Sequence, residues 1–418
     1  MINNKHFKIS QEYSSMDSII DIKLENVPPL TEVKVIVKTL SEYYCINAPL
    51  KVDPTSIWGS ENVYISNITG EINLNTDFPI EGHYTGACKM GCLSFLKLYE
   101  QREAQEKIDI NQVPVNNCSS FKLEAYIDNH LIDHCIIRRF YLEQKSSYEN
   151  IALGKAQGRY FKPDKGLNLP AIIVLSGSEG GIEKAQAIAQ LLSNYGYATL
   201  AIGYFKLSGT SDNLSRIPIE IIGKAIAYLK SRKEIDSERI GIFGRSKGAE
   251  LALLAGNIYP ELKCIALNSP TNIVFEGLKG IMPSKESSWT HRSIEIPYFK
   301  FNLKKYLLSK IKNEHYPNLD QEKEYEIPVD NIKGHILLIC SVQDEVWDSY
   351  KSCILLKNRL ENNNNNVSVT IDSFQNSGHM LTIPFQPNNR YSKRNNVSVM
   401  QDTYRSWLDT VNFFKKYL

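Results

Sequence analysis

The chain has 418 residues, of which 42% are hydrophobic, so it can form two or three domains with substantial cores. Its 48 lysines and arginines nearly balance 46 aspartates and glutamates, and a net charge of +2 argues against a nucleic-acid partner. No apolar run approaches about 18 residues, so no membrane span is expected, and residues 1–6 contain no apolar core of a signal peptide, which predicts a cytoplasmic protein.

The first third of the chain carries the sequence pattern of β-strands. Residues 33–38 alternate between apolar and polar side chains, and so do residues 121–127. The polar residues 128–130 then lead into a further apolar-rich run at 131–140, which predicts a β-hairpin. Short strands with turn signals between them predict an antiparallel sandwich domain over residues 1–148.

The eight cysteines are scattered through the chain. Cys264, Cys340 and Cys353 lie in apolar surroundings and are predicted to be buried thiols. Cys88 and Cys92 lie close to His83, but no second pair of ligands follows them, so no metal site is predicted.

The pattern changes after the polar segment 143–158, where we place the domain boundary near residue 148. Short apolar strand candidates then alternate with amphipathic helix candidates, which predicts a mostly parallel sheet covered on both faces over residues 149–418. The strands are expected at 171–175, 197–202, 240–243, 263–267, 335–340 and 367–371, and the helices at 183–193, 217–231, 249–257, 349–360 and 399–417. Residues 270–332 break the alternation and are interpreted as an insertion, either a cap over the site or a surface excursion.

The most informative stretch joins a strand to a helix through a Gly-x-Ser-x-Gly turn. The apolar residues 240–243 precede Gly244-Arg-Ser-Lys-Gly248, and helix-forming residues follow. This is the context of a nucleophile elbow, in which a strained serine stands exposed at the end of a strand. Ser246 is therefore the predicted nucleophile of an α/β-hydrolase domain.

A serine nucleophile needs a histidine to accept its proton and a carboxylate to orient that histidine. In α/β-hydrolases the acid and then the histidine follow the serine along the chain. His379 lies in a loop just after the last strand candidate and is preferred over three other histidines that follow Ser246, namely His291, His315 and His335. Asp344 follows the strand at 335–340 and is the preferred acid, with Glu345 and Asp348 as alternatives; Asp348 is rather expected to cap the next helix.

An oxyanion hole needs two N–H donors. One is predicted to be the backbone N–H of Lys247, and the other a backbone N–H of the glycine-rich loop 176–181, at Ser178 or Glu179.

These motifs together resemble the type I acyl-CoA thioesterase and bile acid-CoA:amino acid N-acyltransferase family. The motifs are Ser176-Gly-Ser-Glu-Gly-Gly181, Gly244-Arg-Ser-Lys-Gly-Ala-Glu-Leu251, Gln343-Asp344 with Trp347, and Ser377-Gly-His379. The resemblance is clearest over residues 149–418, and it extends more weakly to the N-terminal part, where the family carries an immunoglobulin-like β-sandwich.

The resemblance implies that Ser246, Asp344 and His379 act as nucleophile, acid and base on an acyl-CoA thioester, with no cofactor. The predicted nucleophile is a serine, as in the thioesterases that this pattern resembles, whereas the bile-acid acyltransferases of the family carry cysteine. The resemblance therefore predicts hydrolysis to fatty acid and CoA. The alternatives are transfer to glycine or taurine, an ester or amide hydrolase of the dienelactone-hydrolase or peptidase type, and a non-enzymatic binder. A CoA substrate calls for basic residues at the pocket mouth, and Arg245, Lys247 and the lysines of 300–312 are candidates.

Overall fold

The computed structural model describes residues 5–43, 45, 52–53, 56–103, 108–115, 118–164, 166–312, 316–363, 367–381, 383–388 and 396–418. The chain forms two compact units. The first comprises Met1–Gln105, Val115–Gln144 and Thr382–Tyr404, and the second comprises Glu106–Pro114, Lys145–Leu381 and Arg405–Leu418. The division into domains at residue 148 stays a prediction. The sequence pattern did not indicate that 106–114 belongs to the second unit or that 382–404 belongs to the first.

The first unit is built mainly from strands in two sheets. A three-stranded sheet has the order β1-β3-β6, and a seven-stranded sheet has the order β2-β10-β9-β4-β5-β7 with β8 also paired to β5. The elements are β1 (Phe7–Ile9), β2 (Tyr13–Ser15), β3 (Ile22–Leu24), β4 (Glu32–Thr39), β5 (Ile57–Ile65), β6 (Ile72–Asn73), β7 (Glu81–Gly82), α1 (Gly91–Ser94), β8 (Lys97–Glu100), β9 (Ser119–Ile127) and β10 (His130–Phe140).

The alternation in the sequence sets which face of these strands is buried. Val33, Val35 and Val37 of β4 are buried while their neighbours are more exposed, as expected for a sheet with one face in the core. The hairpin of β9 and β10 turns at Asp128 and Asn129, whose φ angles of 47° and 62° suit a two-residue hairpin turn. The predicted hairpin and the all-β sandwich are confirmed, but the sheet is not wholly antiparallel, because β2 pairs parallel with β10.

The second unit is centred on an eight-stranded sheet of order β11-β12-β14-β13-β16-β17-β22-β23. Its strands are β11 (Ser147–Ala152), β12 (Gln157–Lys162), β13 (Leu169–Leu175), β14 (Ala198–Gly203), β15 (Ile217–Pro218), β16 (Ile235–Arg245), β17 (Leu262–Asn268), β18 (Glu276–Lys279), β19 (Met282–Ser287), β20 (Trp289–His291), β21 (Ile294–Glu295), β22 (His335–Ser341) and β23 (Val369–Phe374). Its helices are α2 (Glu183–Ser193), α3 (Glu220–Lys230), α4 (Lys247–Ile258), α5 (Leu303–Lys312) and α6 (Ser349–Asn362), followed by α7 (Val397–Tyr417), which enters this unit at Arg405.

From β14 to β23 all neighbouring strands of this sheet are parallel, whereas β11 and β12 pair antiparallel at one edge. Every residue of β14 is buried, because helices cover both faces of the central strands. This is the mostly parallel sheet of an α/β-hydrolase, as predicted. The six strands predicted from the sequence are all present, and α2 occupies 183–193 as expected.

Two details differ from expectation. The polar segment 143–158, in which we place the domain boundary, contains β11 and the start of β12. Its polarity reflects the position of β11 at the sheet edge, where most of its residues are exposed. The helix expected from residue 217 begins at Glu220, because Ile217 and Pro218 pair instead with β20.

The insertion of residues 270–332 contains two small hairpins, β18–β19 and β20–β21, and helix α5. Cys264, Cys340 and Cys353 are buried thiols, as predicted. Within the described residues, no cluster of three or more His, Cys, Asp or Glu side chains is arranged to hold a metal ion. No helix in that part of the chain is long and apolar enough to cross a membrane.

Candidate active site

The Gly-x-Ser-x-Gly turn joins β16 to α4 with a strained residue at its apex. Ser246 has φ 55° and ψ −121°, a conformation that L-residues rarely adopt and that persists only where the surroundings enforce it. Its N–H donates to the carbonyl oxygen of Asn268 at 2.9 Å. A Cβ at Gly244 would overlap the backbone of Gly248, and a Cβ at Gly248 would overlap the carbonyl oxygen of Ser176. The two glycines are thus required by the close packing of strand, helix and neighbouring loop.

The residues predicted as nucleophile, base and acid lie in one hydrogen-bonded line. His379 Nε2 is 2.9 Å from Ser246 Oγ, and His379 Nδ1 is 2.9 Å from Asp344 Oδ2. All three side chains are nearly inaccessible to solvent, with exposed fractions of 5% for the His379 side chain and 1% for that of Asp344. They come from three separate loops at the carboxyl ends of β16, β22 and β23, where ligands of parallel sheets bind.

The loop after β22 orients the carboxylate. Asp344 Oδ1 accepts the backbone N–H of Val346 at 2.9 Å and, more weakly, that of Trp347 at 3.3 Å. The alternative acids have other positions: Glu345 accepts the backbone N–H of His379 at 3.1 Å. Asp348 caps α6 by accepting the N–H of Lys351 at 2.9 Å, as its sequence position suggested.

The other histidines considered lie elsewhere. His291 is 3.2 Å from a carboxylate oxygen of Glu220, and His335 stacks on Tyr417 at a ring distance of 3.9 Å at the start of β22. His315 lies outside the described residues.

Trp347 shields one side of the imidazole. Its ring meets that of His379 edge-on at 5.0 Å, and it stacks on Phe275 at 5.4 Å. Trp347 Nε1 donates to the carbonyl oxygen of Ser269 at 3.2 Å, which fixes the indole in place. Phe275 belongs to the insertion, so part of that insertion lies against the site; the sequence suggested a cap as one alternative, but no motif singled out Phe275.

The glycine-rich loop after β13 lies beside the nucleophile. A Cβ at Gly177 would be 3.1 Å from Ser246 Cβ, so the loop and the elbow are in close contact there. Tyr204 Oη donates to the carbonyl oxygens of Ser176 at 2.7 Å and Gly177 at 3.2 Å. Lys206 Nζ donates to the carbonyl oxygen of Glu179 at 3.3 Å. Side chains that follow β14 therefore fix this loop by binding three of its carbonyl oxygens.

A buried ion pair connects this loop to the elbow. The Arg245 guanidinium pairs with the Glu179 carboxylate, and their side chains are 1% and 5% exposed. Glu179 Oε1 also accepts the N–H of Gly177 at 3.2 Å, while Arg245 Nη1 contacts Met380 Sδ at 3.1 Å. Arg245 is thus part of the framework of the site, and the suggestion that it lies at a pocket mouth was wrong.

A second buried ion pair follows the serine. Lys247 Nζ lies 2.9 Å from Glu250 Oε2 and donates to the carbonyl oxygen of Phe275 at 2.9 Å. Trp289 Nε1 donates to Glu250 Oε1 at 2.6 Å. Burial lowers the pKa of Lys247 and raises the pKa of Glu250, and the attraction between the two charges opposes both shifts. The Lys247 ammonium is also internal, and only its backbone N–H, in the first turn of α4, remains a candidate for binding an oxyanion.

Fold and site together define an α/β-hydrolase with a serine on its nucleophile elbow. The family model described as "Acyl-CoA thioester hydrolase/BAAT N-terminal region" matches residues 17–152, and that described as "BAAT / Acyl-CoA thioester hydrolase C terminal" matches residues 217–418. The chain belongs to this family of enzymes.

Individual relatives are distant. Acyl-coenzyme A amino acid N-acyltransferase 2 of Mus musculus is 25% identical over 388 residues, covering 89% of this chain and 85% of its own. Acyl-coenzyme A thioesterase 1 of Homo sapiens is 26% identical over 214 residues, covering 50% of this chain and 49% of its own. A solved α/β hydrolase from a Medee basin deep-sea metagenome library aligns with 66% of this chain and 99% of its own, at 14% identity and a TM-score of 0.44.

Proposed function

We propose that this protein hydrolyses acyl-CoA thioesters to a free fatty acid and CoA through an acyl-enzyme on Ser246. The observation that carries the proposal is the hydrogen-bonded line from Ser246 Oγ to His379 Nε2 and from His379 Nδ1 to Asp344. The family and the thioesterases among the relatives supply the substrate class. The chemistry requires no cofactor, since the CoA is part of the substrate.

In the first half-reaction His379 accepts the Ser246 proton as the oxygen attacks the thioester carbonyl. The resulting oxyanion is stabilised by the backbone N–H of Lys247 and by an N–H of the loop at Ser178 or Glu179. The tetrahedral intermediate collapses by breaking the carbon–sulfur bond. The CoA sulfur leaves as the thiol with the proton that His379 held, and the acyl group remains as an ester on Ser246.

In the second half-reaction a water molecule replaces CoA. His379 removes one proton from the water as its oxygen attacks the ester, and then returns a proton to Ser246 Oγ as the carboxylic acid leaves. Asp344 keeps Nδ1 protonated and stabilises the imidazolium that forms in both steps. The same acyl-enzyme accepts an amine in place of water without any change in the residues required.

Transfer to an amine is the second candidate. Two N-acyltransferases of Mus musculus each match 89% of this chain, whereas acyl-coenzyme A thioesterase 1 of Homo sapiens matches 50% of it. A serine nucleophile favours hydrolysis, because the family's bile-acid acyltransferases carry a cysteine as nucleophile, whereas its thioesterases carry a serine. The discriminating quantity is the partition of one acyl-enzyme between water and an amino acid.

The test is CoA release from acyl-CoAs of varied chain length, with and without glycine or taurine. We expect release that does not depend on the amine, and a loss on the order of 10⁴-fold or more in Ser246→Ala and Asp344→Asn. Ser237→Ala, at an exposed serine of the second unit, is the matched control and should leave the rate unchanged. Amide product would assign the transferase reaction. An unchanged rate in Ser246→Ala would refute the proposed nucleophile.

A further inference from the structure

Helix α5 in the insertion presents its apolar residues to solvent. Leu303, Leu307 and Ile311 are spaced four residues apart, so they form one stripe along the helix, and their exposed fractions are 60%, 52% and 81%. Leu308 beside them is 55% exposed. A helix on the surface of a globular protein normally turns its apolar stripe towards the core, whereas α5 turns its stripe towards solvent, so the orientation of this stripe is inverted.

The helix is held by its opposite face. Ser309, on that face, is buried, and its hydroxyl donates within the helix to the carbonyl oxygen of Tyr306 at 2.8 Å. The Tyr306 ring packs against Phe301 at 5.6 Å and Tyr316 at 6.1 Å. The exposed stripe is therefore on the side away from the contacts that anchor α5 to the insertion.

The same segment concentrates positive charge. Residues 297–312 contain five lysines and no acidic residue, in a chain whose net charge is only +2. Lys304 and Lys305 are exposed on α5, and Lys312 is exposed at its end. An apolar stripe flanked by lysines is the pattern of a helix that lies in the interface of a membrane with anionic lipids.

We propose that α5 docks this protein onto an anionic lipid bilayer, with Leu303, Leu307 and Ile311 inserted among the acyl chains. The lysines would then lie at the level of the phosphate groups, where each adds electrostatic attraction. A second copy of the chain is a poorer occupant, because a two-fold interface brings identical patches together and would oppose two segments of five lysines. The proposal does not depend on the proposed reaction.

The experiment is co-sedimentation of the full chain with two kinds of vesicle, phosphatidylcholine alone and phosphatidylcholine with phosphatidylserine. We expect binding to the anionic vesicles that weakens as salt is raised. Lys304→Gln with Lys305→Gln should weaken binding roughly 25-fold, about fivefold for each lysine. Leu307→Glu with Ile311→Glu should weaken it at least about tenfold, because two apolar side chains no longer enter the bilayer.

Two matched controls separate position from composition. Leu167→Glu changes an apolar residue that is 82% exposed but lies between β12 and β13, and Lys233→Gln with Lys415→Gln removes two exposed lysines elsewhere. Neither control should change vesicle binding by more than about twofold, which is well below the roughly fivefold loss expected for one lysine that lies at the membrane surface. The midpoint of urea unfolding for each variant verifies that it is folded.

Several outcomes would overturn the proposal. These are absence of binding to either vesicle, equal binding to both, or controls that weaken binding as much as the α5 variants. A dimer in solution that Leu307→Glu dissociates, without vesicle binding, would assign the stripe to a second copy. A raised KM for acyl-CoA in the lysine variant, again without vesicle binding, would assign these lysines to the phosphates of CoA.

Discussion

Replacing Arg245 with methionine removes a cation that pairs with Glu179, and it does so directly beside the nucleophile. The Arg245 side chain is 1% exposed and the Glu179 side chain 5%, so the remaining carboxylate could not recover its hydration without movement of the loop. Breaking a buried ion pair by removing one partner typically costs about 3–5 kcal/mol. We expect a loss of that size in the free energy of unfolding of Arg245→Met.

The double variant Arg245→Met with Glu179→Gln separates charge from packing. Methionine is apolar and fills much of the space of arginine beside Met380, and glutamine still accepts the Gly177 N–H that Glu179 accepts now. A buried pair replaced as a whole by neutral groups is often close to neutral in stability. The double variant should therefore regain most of what Arg245→Met loses.

Urea unfolding and CoA release measure the two consequences. Because Glu179 belongs to the loop beside Ser246, we expect kcat of Arg245→Met to fall on the order of tenfold, which is less than the roughly 10²- to 10³-fold loss that follows removal of an oxyanion donor. Both quantities should recover in the double variant. Arg216→Met, which removes the partner of Glu295 in an exposed pair, should cost less than about 1 kcal/mol. Equal losses in the single and double variants would refute the argument, since packing alone would then explain them.

Two further predictions concern the elbow and the edge of the sheet. Gly248→Ala would bring a methyl group into overlap with the carbonyl oxygen of Ser176, so we expect both the urea midpoint of unfolding and the rate of CoA release to fall. Gly280→Ala serves as a control, because an added methyl group there meets no neighbour and tests only the strain of a positive φ. Burial, and then the charge of Asp409, raises the pKa of Asp372. A carboxyl whose pKa is raised in the folded state destabilises the fold once it ionises, so Asp372→Asn should raise the urea midpoint at neutral pH and have little effect near about pH 3, where both states are protonated. A gain that is equal at both pH values would contradict this assignment.

The elbow could be predicted from the sequence because its chemistry restricts a short, contiguous segment. Gly244 and Gly248 are the residues that permit a strand and a helix to meet around Ser246, and the contacts at both positions show why. His379 and Asp344 followed from their places after strands, since the carboxyl ends of parallel strands meet at one edge. The hydrogen bonds place all three residues together as that reasoning expected, although their catalytic roles remain a proposal.

What could not be predicted depends on pairs of residues far apart in the chain. Arginine is a residue type that commonly binds phosphate, so the sequence suggested Arg245 as a ligand of CoA. Only its pairing with Glu179, 66 residues earlier in the chain, shows that its side chain is buried inside the protein. Likewise Glu250 and Trp289 meet across 39 residues, and no local pattern marks that contact. The inverted stripe of α5 was missed because apolar residues at helical spacing normally indicate a core-facing side, and burial is a property of the surroundings.

The two cations on either side of Ser246 connect the elbow to different parts of the second unit. Arg245 fixes the loop after β13 through Glu179, whereas Lys247 reaches Glu250 within α4 and the Phe275 carbonyl in the insertion. The residue after Phe275, Glu276, accepts the N–H of Phe301 at 2.9 Å, two residues before α5 begins. Because neither cation is exposed, the strained serine is held by internal charge pairs on both sides, and the insertion is part of what holds it. The insertion therefore carries the lipid-facing surface that we propose and also provides one of the contacts that position the nucleophile.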